Sequence, residues 1–437
     1  MALGGGTWLV QNKILPGTYI NFISVNRATA TLSDRGVATM PLPLDWGPLD
    51  TVVEVTTGDL QKNSLKLFGY DYTAPELSGL RDLFKNIRKA YLYRLGAGGV
   101  KATNTYANAK YEGVRGNSIQ IVIAENVDNP AVFDVTVFFD GALIHRQTAA
   151  GTSTDQLTDN DYITWKPGVQ LVATAGMPLQ GGSDPTITNG DYQTYLDRIE
   201  AYAFHALGCP SNNTAIKGLF TAFTKRMRDE QGVKFQCVTY DNAADHEGVV
   251  NVMNKAIGTN VEPWAAVYWV TGVIAGTAVN KSALNKVYDG EFELELEFTQ
   301  SQLEKAILGG KFAFHRVGSD VRVLSDINSL VNTTLEKGDV FKENQTIRVI
   351  DQIANDIAVI FNSKYLGIVP NDKDGRISLW SDIVKHHELL QTIRAIENFS
   401  GDDVKVSQGE TKRAVVVEDH VTPVNAMAQL YMAVYIS

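Results

Sequence analysis

The chain has 437 residues, 44% of them hydrophobic and 20% charged, and a formal net charge of −10. A chain of this length is expected to form about two to four domains, and its composition is that of a folded protein rather than a disordered one. The acidic balance argues against a general nucleic-acid coat, which needs clustered Lys and Arg. The two cysteines, Cys209 and Cys237, indicate buried thiols in a reducing compartment, although a disulfide between them stays open.

Residues 1–23 are glycine-rich and then hold a short strand, which predicts an N-terminal arm that docks elsewhere. The segment has no basic start, so no signal peptide is expected. Further on, the sequence predicts strands and tight loops over 28–57, helices over 58–68 and 75–89, and a buried strand over 91–95. The residues of the arm strand are Thr18, Tyr19, Ile20, Phe22 and Ile23.

A β-domain is predicted over 97–186, between a glycine hinge at 96–99 and a second at Gly181-Gly182. Strands over 133–139 and 142–146 flank Asp140-Gly141, a dipeptide that strongly indicates a hairpin. Inserted domains usually have neighbouring ends, so we expect this one to be dispensable for the rest of the core.

Residues 24–96 and 187–340 alternate between helical and strand patterns, which predicts an α/β middle domain. Its predicted helices cover 191–203, 213–230 and 245–257, and an uncharged run over 263–280 is too short to span a membrane, so it predicts a buried helix. Residues 291–298 alternate between glutamate and apolar residues, as a half-exposed strand does. Thr299 to Gln302 matches a helix capping box, and a hairpin is expected around Gly318.

Residues 341–437 predict a C-terminal assembly domain. A helix over 345–361 has an apolar stripe, a charged turn follows at 371–375, and a second helix covers 381–399. The terminal strand, 429–436, is apolar on both faces, so it lies either mid-sheet in its own domain or in the sheet of another molecule. The stripe is Ile347, Ile350, Ile353, Ala354, Ile357 and Ile360, and the strand contains Leu430, Tyr431, Met432, Val434, Tyr435 and Ile436.

Motifs for catalysis and metal binding are incomplete. Neither the glycines at 96–99 nor Gly310-Lys311 forms a phosphate-binding loop, and no G-x-S-x-G elbow occurs. His246-Glu247 lacks the second histidine of a zinc hydrolase, and a calcium-like stretch at 372–375 has Pro370 and Ser381 at its first and last ligand positions. The sequence therefore predicts no catalytic residue, no metal and no cofactor, with an α/β hydrolase-like enzyme carrying an accessory β-domain as the alternative.

Short motifs in a consistent order resemble the contractile tail sheath proteins of phages and R-type bacteriocins. They are Pro16-Gly-Thr-Tyr-Ile20, Arg35-Gly-Val37, Pro41-Leu-Pro43, Trp46-Gly-Pro48, Tyr111-Glu-Gly-Val-Arg-Gly-Asn117, Arg348-Val-Ile-Asp351, Tyr365-Leu-Gly-Ile-Val-Pro-Asn371, Gly375-Arg-Ile-Ser-Leu379 and Leu430-Tyr-Met-Ala-Val434. The resemblance implies a multidomain α+β structural protein and no enzyme. Its α/β middle domain, inserted all-β domain and C-terminal α+β assembly domain would be joined by N- and C-terminal strand arms.

The same resemblance implies partners and a location. The subunit would form hexameric rings stacked around an inner tail tube protein, meet baseplate and tail terminator proteins, and contract to drive the tube through a cell envelope. It would bind no nucleic acid directly and insert into no membrane, and it would assemble in the bacterial cytoplasm as part of a virion tail or a headless particle. Lys385, Glu388 and Arg394 would lie near one side of a helix that touches the tube. For His386-His387, the sequence without the resemblance favours a solvated helix face.

Overall fold

The computed structural model describes residues 32–436. Within this range the chain forms two compact units. The larger unit comprises Ser33–Asn355, Leu390–Phe399 and the residues from Val421 onward, and the smaller unit comprises Asp356–Leu389 and Ser400–His420. The predicted arm strand Thr18–Ile23 lies outside the described residues, so the arm stays a prediction.

Residues 32–436 contain eight α-helices. They are α1 Thr57–Phe68, α2 Ser78–Phe84, α3 Asn189–Ile199, α4 Thr214–Lys225, α5 Ala266–Gly276, α6 Gln300–Leu308, α7 Asn344–Ile360 and α8 Lys373–Thr392. The ends of α4 and α7 each continue into a π-helical turn, Arg226–Glu230 and Phe361–Tyr365. The predicted capping box starts α6, where the Thr299 hydroxyl accepts from the Gln302 N–H and the Gln302 side chain accepts from the Thr299 N–H.

The same range contains twenty β-strands. They are β1 Val37–Leu42, β2 Val52–Thr56, β3 Lys89–Arg94, β4 Ala107–Ala109, β5 Ile119–Glu125, β6 Phe133–Phe139, β7 Ala142–Thr148, β8 Ile163–Trp165, β9 Thr174–Pro178, β10 Ala206–Gly208, β11 Gln236–Tyr240, β12 Val249–Val252, β13 Ala256–Ile257, β14 Glu293–Leu294, β15 Lys311–Val317, β16 Asp320–Ser325, β17 Ile396–Glu397, β18 Val404–Gln408, β19 Val415–Asp419 and β20 Thr422–Pro423.

An eight-stranded sheet in the order β16-β15-β12-β11-β10-β1-β3-β2 forms the centre of the larger unit. Its six inner strands are parallel, and β2 and β16 pair antiparallel at the two edges. Alternate side chains of the inner strands point to opposite faces, so Met40 packs with α2 and α5 while Cys237 packs with α3 and α4. The predicted α/β pattern therefore produces a three-layer core with buried strands.

Helix α5 is the uncharged segment and is buried along most of its length in this core. Gly272 and Gly276 lie where an added Cβ would meet the carbonyl oxygens of Leu83 and Asn86 at 2.4 and 1.6 Å, so only glycine allows this approach. Among the described residues, no helix combines the length and the apolar character needed to cross a membrane.

Several predicted elements differ in the structure. The helix predicted over 245–257 is wrong, because Val249, Val250 and Val252 are β-branched and extend the parallel sheet as β12. The charged turn predicted at 371–375 is also wrong, since α8 begins at Lys373. The acidic strand over 291–298 is reduced to β14, although its alternation holds, with Leu294 buried and the glutamates exposed.

The inserted β-region contains the antiparallel sheet β7-β6-β5-β9 and the ribbon β4-β8. Asp140 and Gly141 connect β6 to β7 with φ of 53° and 78°, as a tight hairpin turn requires. The two connecting segments of this region run side by side. Ala97 bridges Thr186 and Val100 bridges Ser183, so the ends of the insert are neighbours as predicted.

Trp46 joins this β-region to the residues before it. Its side chain is fully buried in the hydrophobic cluster of the β-region, with ring centroids 5.3 Å from Tyr111 and 5.1 Å from Phe139. Arg94 adds hydrogen bonds to the carbonyl oxygens of Gly47 at 2.7 Å and Glu112 at 2.9 Å. Removal of the β-region would expose Trp46, and the dispensability of this region for the rest of the core stays a prediction.

The smaller unit consists of the end of α7, most of α8 and the antiparallel ribbon β18–β19. Ile383, Leu379 and Val404 are buried between these elements. The Trp380 indole N–H donates to the carbonyl oxygens of Gly401 and Val404, both at 3.1 Å, which attaches the start of the ribbon to α8.

The junction at Trp46 predicts a measurable loss of stability. Trp46→Ala should lower the free energy of unfolding of the full chain by about 3–5 kcal/mol, because it removes a buried indole and leaves a cavity. Urea unfolding followed by circular dichroism measures this, with the half-buried Trp165→Ala as the control. Equal losses in the two variants would contradict a shared core between the β-region and the residues before it.

Candidate assembly surfaces

The C-terminal tail, residues 427–436, is the most exposed apolar segment that the structure describes. Its side chains are exposed at Leu430 (85%), Met432 (74%) and Val434 (68%), and Tyr435 and Ile436 are above 90%. The tail takes part in no β-ladder within residues 32–436. Within residues 32–436 the tail therefore does not take the first alternative predicted for it, a mid-sheet position in its own domain.

The root of the tail is held firmly in the larger unit. The Gln345 side chain donates to the Val424 carbonyl oxygen at 2.9 Å and accepts from the Ala426 N–H at 3.0 Å. The Val424 N–H donates to the carbonyl oxygen of Ala395 at 2.9 Å. The tail thus leaves the protein from a fixed point, and its apolar residues follow directly after that point.

The ribbon β18–β19 offers backbone groups for pairing. Its two strands pair only with each other in the described chain, from Val404 opposite Asp419 to Gln408 opposite Val415. Unpaired strand edges are templates for another strand, and a two-stranded ribbon is marginal by itself. Val416 and Val417 on β19 are 46% and 39% exposed, so an added strand would find apolar contacts as well.

The three residues predicted to face a tube do not lie on one helix. Lys385 and Glu388 are exposed on α8, one turn apart. Helix α8 ends at Thr392, and Arg394 follows with a φ of 61°. The common helix face holds for Lys385 and Glu388 alone, and contact of any of the three with a tube stays a prediction.

His386 and His387 are both fully buried, so their predicted place on a solvated face is wrong. Successive residues of a helix point about 100° apart, and here each direction meets a different element. The His386 ring contacts Asp356 of α7, whereas the His387 ring contacts Asp419 of β19. Burial on two sides of α8 explains why no solvent reaches the pair.

The buried positions of α7 include charged residues as well as Ile347 and Ile360 of the predicted apolar stripe. Arg348 and Asp351 are 1% and 4% exposed, whereas Ile350 and Ile353 of the predicted apolar stripe are only partly buried. Arg228 donates two hydrogen bonds to Asp351 at 2.7 and 2.8 Å, and Arg348 donates to the Lys281 carbonyl oxygen at 2.8 Å. A buried charge that loses its partner is costly, so these pairs fix α7 in one register.

Periodicity did not identify these buried charges, because Arg and Asp are usually exposed. The signal that was available is the motif Arg348-Val-Ile-Asp351 itself, which places both charges within one helical turn of an apolar segment. Their partners, Arg228 and Asp326, are distant in the sequence and only the fold brings them together.

Asp229, His246 and Glu247 form the one group of three metal-type ligands among the described residues. The His246 Nδ1 accepts from the Gly248 N–H at 3.0 Å, so the neutral ring carries its proton on Nε2, which faces Asp229 at 3.0 Å. A metal ion bound to Nε2 would require this proton to move to Nδ1. The proton would then point at the Gly248 N–H, which is itself a donor. Lys337 already contacts Glu247 at 2.8 Å, so the group is an ion-pair network rather than a metal site.

The pKa shift of Glu247 agrees with an ion pair between this residue and Lys337. Burial lowers the pKa of His246, despite the neighbouring carboxylates of Glu247 and Asp229. Burial alone would raise the pKa of Glu247, but the Lys337 ammonium and the His246 ring hold it below its usual value. Glu247 therefore stays charged opposite Lys337.

Cys209 and Cys237 are free, buried thiols, as predicted. Burial raises the pKa of Cys237 to about 12 and that of Cys209 well above its usual value. A nucleophilic cysteine needs a low pKa and an exposed position, so neither side chain suits covalent catalysis.

Four domain families match consecutive parts of the chain. "Tail sheath protein Gp18 domain III N-terminal region" matches 35–95 and "Phage tail sheath protein beta-sandwich domain" matches 97–184. "Phage tail sheath protein central domain" matches 186–329, and "Phage tail sheath C-terminal domain" matches 336–437. The β-sandwich match covers the inserted β-region described above.

Similar proteins are known from several bacteria. The Bacillus subtilis (strain 168) "Phage-like element PBSX protein XkdK" is 32% identical over 477 residues and covers 100% of both chains. The crystal structure of the sheath tail protein from Desulfitobacterium hafniense is 36% identical, covers 94% of this chain and 97% of its own, and superposes with a TM-score of 0.83. The anti-feeding prophage helical sheath in its contracted state shares the fold, at 12% identity and a TM-score of 0.58 over 97% of this chain and 99% of that chain.

The buried pair between Arg228 and Asp351 yields a prediction. Asp351→Ala should reduce the free energy of unfolding by about 3–5 kcal/mol, because it leaves the Arg228 guanidinium buried without its carboxylate. The matched control is Glu200→Ala, which breaks the partly exposed pair with Arg226 and should cost about 0–1 kcal/mol. Denaturant unfolding of the full chain tests both, and losses of the same size would show that α7 does not depend on the buried pair.

Proposed function

The chain belongs to the phage tail sheath protein family, and on that premise we propose that it polymerises as stacked hexameric rings around an inner tail tube. It is a structural tail sheath protein and a component of a phage tail or a related contractile particle. The alternative of an α/β hydrolase-like enzyme is not favoured. The sheath family is structural, and the α/β sheet that suggested an enzyme lies within the sheath domains.

The observation that carries the proposal is the exposed tail. Residues 427–436 present large apolar side chains to solvent, while their backbone donors and acceptors find no ladder within residues 32–436. A contiguous apolar segment of this kind marks an interaction site, because its exposure is unfavourable in water. A subunit that passes this strand to a neighbour would bury it in every copy of a polymer.

In the proposed contact between subunits, the tail of one copy would add as a strand to a sheet of its neighbour. Each backbone hydrogen bond contributes roughly 0.5–1.5 kcal/mol, so a strand of this length contributes several kcal/mol before its ordering is subtracted. Full burial of Leu430, Met432 or Val434 would add about 1.5–3 kcal/mol for each side chain. These terms are large enough to hold neighbouring subunits together.

The acceptor that fits best is the ribbon β18–β19 of a neighbouring copy. Its outer edges are unpaired in the described chain, and the exposed Val416 and Val417 supply an apolar surface. A groove of about 280 Å³ beside the ribbon adds Phe361, Leu366 and Val369 as further apolar contacts. The N-terminal strand Thr18–Ile23 would add in the same way to the sheet of another neighbour, so that each subunit is linked to several others.

Strand arms that connect neighbouring subunits would also permit contraction of the sheath. Arms that stay bound allow compact domains to change their packing without separating, and many coupled subunits make the change concerted. The proposed domains are the arm 1–23, the middle domain 24–96 with 187–340, the β-domain 97–186 on the outside, and the assembly domain 341–437. The subunit would use stored conformational energy to drive the tube through a target cell envelope, with no cofactor or bond-making step.

The remaining partners follow from the place of a sheath in a tail. Lys385, Glu388 and Arg394 are proposed to meet the inner tube protein, and the ends of the sheath are proposed to meet baseplate and tail terminator proteins. Assembly would take place in the bacterial cytoplasm. No direct contact with nucleic acid is proposed, in keeping with the net charge of −10.

Met432→Pro tests the tail directly. Proline removes a backbone donor from the middle of the strand, so this variant should remain folded but form no tubes. Met432→Ala is the matched control: it removes the same side chain, keeps the N–H, and should still assemble. Negative-stain electron microscopy and sedimentation velocity provide the readout, and tubes formed by the proline variant would refute the role of the tail strand.

A further inference from the structure

The exposed methionines of residues 32–436 are confined to the C-terminal tail. Met427 and Met432 are 100% and 74% exposed. The other methionines of the described range are buried or half-buried: Met40, Met177, Met227 and Met253. The thioethers that a dissolved reagent meets first in this range therefore lie in the segment that is proposed to link subunits.

The cysteine thiols compete poorly for an oxidising reagent. Cys209 and Cys237 are fully buried in the hydrophobic cluster that includes residues of α3 and α4. Burial raises the pKa of both thiols, so the thiolate, which is the form that oxidants attack, is scarce. Among the sulfur-containing side chains of the described range, the two tail methionines are thus the accessible targets.

A peroxide converts a methionine thioether into a sulfoxide. A sulfur lone pair attacks one oxygen of hydrogen peroxide, the O–O bond breaks, and an S–O bond forms while the other oxygen leaves as water. The sulfur loses two electrons and the peroxide gains them, so the reaction needs no further co-reactant. The flexible apolar side chain becomes a polar one.

The two tail methionines differ in their position on the predicted strand 429–436. Met432 lies between Leu430 and Val434 at two-residue spacing, so an extended tail places these three side chains on one apolar face. Met427 precedes the strand and follows directly after the root of the tail, which Gln345 holds. A peroxide can reach both methionines, but only the oxidation of Met432 puts a polar group in the middle of the apolar face.

We propose that Met432 is an oxidation-sensitive site: its conversion to the sulfoxide by a peroxide makes the subunit unable to assemble, and its reduction restores assembly. This inference rests on the proposed burial of the tail by a neighbouring copy. Because the adjacent side chains of this face are apolar, the sulfoxide oxygen gives up its hydrogen bonds to water on burial. One polar group left without a partner weakens a contact by about tenfold to a hundredfold.

The same burial makes the modification depend on the state of the subunit. Before assembly, Met432 is open to the reagent; in a polymer, a neighbouring copy covers it. Oxidation therefore acts on unassembled subunits and spares subunits that are already in a tube, because susceptibility to oxidation follows exposure.

Peroxide treatment of the unassembled full chain tests the inference. Subunits are kept below the concentration at which tubes form, treated with hydrogen peroxide and then freed of it with catalase. Peptide mass spectrometry gives the oxidised fraction at each methionine, and sedimentation velocity with negative-stain electron microscopy gives the concentration required for tubes. This concentration should rise by about tenfold to a hundredfold once Met432 is oxidised. Methionine sulfoxide reductases with a dithiol as the reductant should restore it.

Met432→Leu and Met427→Leu form a matched pair of variants. The first leaves Met427 open to oxidation and should assemble equally well before and after treatment. The second leaves Met432 open and should lose assembly as the unsubstituted chain does. Met432→Ala is a second variant without sulfur at this position, and Met432→Gln should assemble poorly without any peroxide, because its amide is polar. Equal peroxide effects in the two leucine variants, or an unchanged assembly concentration for a chain fully oxidised at Met432, would overturn the inference.

The rate of Met432 oxidation separates this inference from the proposed function. It is measured by mass spectrometry in assembled tubes and in unassembled subunits at the same peroxide concentration, with slower oxidation expected in the tubes. Equal rates would contradict the burial of the tail and with it the proposed function. Protection of Met432 in tubes, combined with normal assembly of the oxidised chain, would leave the proposed function standing and refute the oxidation-sensitive site alone.

Discussion

An exposed apolar tail that pairs with no strand within residues 32–436 is the constraint on which this account of the subunit depends. Residues 427–436 are exposed, yet their root is fixed by Gln345, so the tail does not fold back onto the protein that carries it. The outer edges of the ribbon β18–β19 also lack a pairing strand among the described residues. Within residues 32–436, a single copy therefore leaves two sets of backbone groups without a ladder, and the proposed polymer would satisfy both.

The rest of the larger unit is built to be rigid. Trp46 joins the β-region to the core, and the buried pairs of Arg228 with Asp351 and Arg348 with Asp326 hold α7. Buried ion pairs add little net stability but penalise every other arrangement strongly, because each alternative leaves a charge without its partner. Rigid units with an exposed tail suit the proposed contraction, in which neighbouring subunits would repack without unfolding.

Sequence reasoning succeeded where local chemistry decides the structure. The Asp140-Gly141 hairpin, the Thr299 capping box and the buried helix α5 all depend on residues close together in the chain. It failed where tertiary contacts decide: 245–257 forms strands because β11 lies beside it, and His386 and His387 are buried because α7 and β19 cover them. The apolar tail could be singled out because large apolar residues at alternating and neighbouring positions are visible in the sequence itself, whereas its role as a strand stays a prediction.

Cysteine cross-linking between two populations tests the central claim most directly. One population carries Val417→Cys in the ribbon, the other carries Leu430→Cys, Met432→Cys or Val434→Cys in the tail, and Val127→Cys on the exposed β-region is the control. The buried native thiols give little background. Mixed disulfide dimers that join ribbon to tail, and not ribbon to the control site, are the predicted result. Absence of ribbon-to-tail dimers under conditions where tubes form would contradict the proposal that one subunit's tail completes its neighbour's ribbon.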